Sequence, residues 1–115
     1  MARYSDKKPA FCDHITFAFA PIERAAQVAS ETDRRAVKFA AIAVKFARQW
    51  TVDTTEASRR ECAKAVALLE EATDGAQSSQ VSRALLAYSK ALKLFLACDY
   101  RNALRFADMA KLLAR

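Results

Sequence analysis

The sequence predicts an all-α protein: a compact bundle of four to five helices with short connections and antiparallel neighbours. Three observations predict it. One Gly and two Pro in 115 residues leave little material for hairpin turns. Ala, Leu, Lys, Arg and Glu, which lose least on entering a helix, are abundant. Apolar residues recur at three- and four-residue intervals, the period of a helix with one buried face. A chain of 115 residues can bury one core without disulfides or metal and is too short for two ordinary domains. The expected division is a flexible tail over 1–9 and a single helical domain over 10–115.

Residues 1–9, MARYSDKKP, carry no apolar anchor, hence the tail. Residues 10–20 bring Phe11, Phe17 and Phe19 but find no partner strand elsewhere, so they read as a short helix or an extended segment laid on the bundle. Pro21 suits the first turn of a helix, where its missing N–H costs nothing, and a helical pattern runs from there to Trp50. Ser30 and Thr32 are weak helix formers and Asp33 is an apt N-cap, which leaves open one long helix or two with a corner near SETD. Asp53 and Glu56 form a D-x-x-E capping box, and Gly75 stands where a left-handed C-cap belongs. A helix over about 54–73 follows, with Cys62, Ala65, Val66, Leu68, Leu69 and Ala72 on its apolar stripe. DGAQSS is the interior loop, and Ser78 or Ser79 caps a helix through QVSRALLAYSKALKLFLA. Asp99 caps the last helix, whose buried side is Ala103, Phe106, Ala107, Ala110 and Leu113. The core is expected to include Phe39, Ile42, Phe46, Val66, Leu69, Leu92, Phe95, Phe106 and Leu113.

Catalytic chemistry finds no foothold. The sequence holds no HExxH, CxxC, Gly-rich phosphate loop or GxSxG, and His14 is its one histidine, read as a polar tail residue. Cys12, His14, Cys62 and Cys98 could number a zinc site, but only Cys12 and His14 are close in sequence, whereas zinc ligands come in tight pairs. Cys62 and Cys98 fall on apolar faces and read as small core residues. Glu70 and Glu71 diverge by about 100° on a helix and make a solvated acidic patch. The chain is therefore expected to be no enzyme, with no cofactor and no metal. Three cysteines make no disulfide framework, no apolar run resembles a secretory signal, and none is long enough to cross a bilayer. A cytoplasmic protein with no membrane partner is the expectation.

The charge is distributed unevenly. Net charge is +6 overall, divided as +4 over residues 1–52, −3 over 53–82 and +5 over 83–115. The segment DRRAVKFAAIAVKFARQW, residues 33–50, holds five basic residues and no acid after Asp33. On a helix, Arg34, Lys38, Lys45 and Arg48 fall within an arc of about 80° and follow a line of about 21 Å. Arg83 and Lys90 align in the next-to-last helix with Lys93 nearby, and Arg101 and Arg105 cluster with Arg115 in the last. Such stripes suit a phosphate backbone, which is gripped without base readout.

Residues 83–115 contain Asp99, Tyr100, Ala103, Leu104, Ala107, Ala110 and Leu113 in the pattern DYxxALxxAxxAxxL. This resembles the helical hairpin of tetratricopeptide-type and HEPN-type domains and implies a closely packed hairpin. The ribonuclease role of HEPN domains is not implied, because no His follows Arg101 or Arg105, and the tetratricopeptide repeat is not present twice. In size, helix content, basic charge and want of catalytic groups, the chain is similar to the small helical subunits of CRISPR effector complexes. The expected function is a non-enzymatic, sequence-independent nucleic-acid-binding helical subunit, RNA or DNA, within a larger (ribonucleo)protein assembly. Its partners would be nucleic acid and other protein subunits, with self-association left open. The alternative is a protein–protein interaction module of helical-hairpin type that binds a partner helix or peptide.

Overall fold

Short polar side chains set the helix starts. Ser30, Thr55, Ser79 and Asp99 each accept the backbone N–H three residues ahead, those of Asp33, Ser58, Ser82 and Asn102, at 3.0–3.4 Å. The structure, a computed structural model, describes residues 4–53, 55–74 and 79–115, with side chains from Cys12 onward. Its helices are α1 (Tyr4–Ala26), α2 (Glu31–Val52), α3 (Glu56–Thr73), α4 (Gln80–Leu96) and α5 (Tyr100–Leu113), and no strand occurs among the described residues. The Cα radius of gyration, 13.3 Å, is that of one compact body of this length.

Several boundaries differ from the sequence expectation. The backbone is helical from Tyr4, within the stretch read as a tail, and residues 10–20 continue the same helix. Pro21 lies far inside α1 instead of in a first turn. The corner falls at residues 27–30, so the segment is two helices, and its N-cap is Ser30, with Asp33 three positions into α2. Asp53 closes α2 by donating its N–H to the Gln49 carbonyl, while Thr55 caps α3. Of the two serines offered for α4, Ser79 is the cap; Ser78 and the expected terminator Gly75 lie outside the described residues.

One chain position between α4 and α5 takes the left-handed conformation: Cys98, with φ 63°. There the Cys98 N–H bonds to the Phe95 carbonyl at 3.0 Å and the Asp99 N–H to that of Leu94 at 2.9 Å, a Schellman closure. Asp99 at once caps α5, so three residues suffice to reverse the chain.

Helix α4 packs against all four others, α2 lies between α1 and α3, and α5 closes on α4 and α1. Tyr88, fully buried on α4, donates its hydroxyl to the Ile15 carbonyl at 2.7 Å and stacks on Phe19 with centroids 5.5 Å apart. Phe95 meets Trp50 edge-on at 5.3 Å and Tyr100 at 5.7 Å. Asp33 is buried and accepts from Ser82 Oγ at 2.8 Å, tying the start of α2 to the start of α4. Arg59 of α3 donates Nε and Nη2 to the Leu96 carbonyl at the end of α4, where helical partners run out.

Val66, Leu69, Leu92 and Phe95 are buried as expected, whereas Phe39, Phe46, Phe106 and Leu113 are half-buried against the core and Ile42 is 45% exposed. The cause is that alanines carry the interior of two helices. Ala36, Ala40, Ala43 and Ala47 on α2, and Ala103, Ala107, Ala110 and Ala114 at α5, repeat the same 4-3-4 spacing and are all buried. Small residues on one stripe let backbones approach closely, so larger apolar neighbours are left at the flanks. Cys98, expected in the core, is exposed because its left-handed backbone turns it out at the reversal.

Candidate functional site

The α2 stripe forms because the alanine face turns inward and carries its other side out. Arg34, Lys38, Lys45 and Arg48 are all exposed, and none of them makes an ion pair among the described residues. Arg34 differs from the rest: its Nη1 donates to the Ala29 carbonyl at 2.8 Å, bracing the corner between α1 and α2. Lys45 and Arg48 border an open groove of about 600 Å³ between α1 and α2, which also holds Cys12, Asp13, Val44 and Gln49. Asp13 is the one acid among the described residues of that groove.

The second stripe has different surroundings. Arg83, Lys90 and Lys93, with half-buried Leu86 between them, occupy the strip of α4 that faces out. They floor a groove of about 470 Å³ walled by Glu70 of α3 and by Phe106, Met109 and Leu113 of α5. Lys93 Nζ pairs with Glu70 at 3.3 Å, and Lys90 Nζ sits 5.4 Å from the centre of the Phe106 ring, in cation–π range. The grooves on α2 and α4 share no residue. Arg101 and Arg105 are exposed on α5 and line neither. The nine cations thus occupy separate faces. The apolar wall was the feature sequence reasoning missed, because Phe106 and Leu113 match a core period as well as a groove period.

The titratable groups with shifted equilibria are interior ones. Burial pushes the Cys62 thiol up to about 12, nearby Cys12 adds to this, and Arg59 partly offsets it. Burial holds the Tyr88 hydroxyl well above its ordinary range. Neither is poised to attack a substrate, since a thiol reacts as thiolate and Cys62 stays protonated. Among the described residues no three His, Cys, Asp or Glu side chains converge as metal ligands, and no helix is long and apolar enough to cross a membrane. What fold and surface define together is a small all-α domain with basic outer faces, one beside a groove of mixed lining on α2 and another set in a more apolar groove on α4. Compared with known protein families, curated proteins and solved structures, the chain matches none.

Proposed function

We propose that the α2 face binds the phosphate backbone of nucleic acid without reading sequence, as the non-enzymatic contribution of this chain to a larger assembly. The observation that carries this reading is the exposure of four cations on one line with no ion-pair partner among the described residues. Cations kept for solubility need no alignment; a polyanion with a regular charge repeat rewards it. Arg101 and Arg105 extend the basic surface elsewhere and would add affinity without specificity.

The decisive experiment is a titration of single- and double-stranded RNA and DNA at two salt concentrations, with the wild-type chain and a Lys38→Glu, Lys45→Glu, Arg48→Glu variant. Arg34 is spared because of its bond to Ala29. The triple variant should keep its helix content and lose binding. Lys45→Ala alone should weaken all sequences alike and lower the salt slope by about one. Asp13→Ala should tighten binding, since it removes the acid that shares the groove with Lys45 and Arg48. Unchanged affinity in the triple variant would sink the reading.

A further inference from the structure

We infer that the groove over α4 is a docking site for an acidic amphipathic helix of a partner protein, distinct from the α2 face. Two properties of the groove select this occupant. Its walls are apolar along one side, Leu86 rising from the floor beside Phe106, Met109 and Leu113, and Met109 is 47% exposed. A sugar–phosphate backbone gains little from burying such a wall, in which Leu86, Met109 and Leu113 offer bases no stacking face and Lys90 already lies over the Phe106 ring, whereas the apolar face of a helix gains from all of it. Its charge is lopsided: Arg83, Lys90 and Lys93 against Glu70 alone. Because Glu70 is already engaged with Lys93, Arg83 and Lys90 are the two cations of the groove without an acid among the described residues, and Lys90 is held over Phe106 at the boundary of the apolar wall.

The spacing says what the guest should look like. Arg83 and Lys90 are two helical turns apart, about 10 Å along the axis. A guest helix lying along the floor matches them with carboxylates seven residues apart. Leucines three and four residues after the first carboxylate then fall between, against Leu86, Phe106 and Met109. Methionine in the wall suits adaptable packing against such a partner.

The test uses the full chain and a labelled synthetic helix of about four turns with Glu at those two positions and Leu between them. Binding read by fluorescence anisotropy should weaken at least about tenfold in an Arg83→Glu, Lys90→Glu variant, both sites being exposed and the helix content checked by circular dichroism. Exchanging the peptide's two Glu for Lys should restore binding to that variant. The triple α2 variant should bind the acidic peptide as wild type does, so this inference can fail or stand whatever becomes of nucleic-acid binding. It is overturned if wild type does not bind the peptide, or if the double variant binds it unchanged. It is equally overturned if the double variant loses affinity for an oligonucleotide but not for the peptide, which would make the groove a second phosphate site. Loss in that variant of a self-associated form, with no peptide binding by wild type, would assign the groove to a second copy of this chain.

Discussion

Tyr88 joins α4 to α1 through one hydroxyl, and its burial gives the molecule an alkaline limit. Its folded-state pKa lies well above the unfolded value near 10, and that of Cys62 lies at about 12 against an ordinary 9.0. In both cases the folded form keeps a proton that the unfolded chain gives up. The stabilisation is complete only below the lower unfolded value, 9.0, and is lost progressively as pH rises above the two unfolded values toward the folded ones. The thermal midpoint should therefore fall between pH 9 and 11, and less steeply in Tyr88→Phe than in wild type; equal slopes would show that Tyr88 ionises as freely folded as unfolded. The same burial ranks the thiols. A thiol reagent at neutral pH should modify Cys98 quickly and Cys12 and Cys62 only on unfolding, because both of these are buried. Little of this was legible beforehand. A residue's place on an apolar stripe does not reveal which hydroxyl meets which carbonyl across 73 positions, nor that Cys98 would stand outside.

At the scale of the element, α1 is the helix that breaks a rule. Pro21 lacks the N–H that would bond the Phe17 carbonyl and crowds that turn, a cost of about 3 kcal/mol. Ile15, Ala18, Phe19, Ile22 and Ala26 are nevertheless buried along one continuous face on both sides of the proline. The break itself lies on the solvent side, as Phe17 is 71% exposed, so water can satisfy the freed carbonyl. Packing outweighs the local penalty, which is why an expectation drawn from proline's preference for a first turn misplaced the helix start. Pro21→Ala should stabilise the protein by roughly 2 kcal/mol, less than the full penalty because the unfolded chain also gains freedom. A chemical-denaturation midpoint that does not rise would show that the turn is adapted to proline. The caps tell the opposite story. Ser79 and Asp99 were readable because a short acceptor before an apolar run has few other uses. Ser30 and Thr55 were displaced by competing acids at Asp33 and Asp53, the first of which is drawn inward by Ser82.

Across the whole molecule, α4 is the hub and Phe95 is the contact where α2, α4 and α5 converge, through Trp50 and Tyr100. Truncating it to Ala should cost about 3–5 kcal/mol. Phe46, also expected in the core but only half-buried, should cost clearly less, on the order of 1–2 kcal/mol for a ring that already faces water on one side. Comparable losses for both would contradict the difference in burial between Phe95 and Phe46. The all-α bundle followed from composition and period, which act locally. The separation of its basic residues onto unlike faces did not, since it depends on how helices rotate against one another, and the small size of Ala36, Ala40, Ala43 and Ala47 decides that rotation.

The matching alanine runs on α2 and α5 bear on how this chain can change over evolutionary time. Each of these alanines is buried, and a larger side chain there must displace packed neighbours at about 1–3 kcal/mol, so drift at Ala36, Ala40, Ala43, Ala47, Ala103, Ala107, Ala110 and Ala114 is biased toward glycine or serine. Lys38 or Arg105, facing water, is free to vary unless a ligand holds it. Distant descendants should therefore share a bare 4-3-4 rhythm of tiny residues on two helices and little else, a signature faint enough to be lost among other alanine-rich helices. Their surviving cations, read against that rhythm, would show which surface selection has kept.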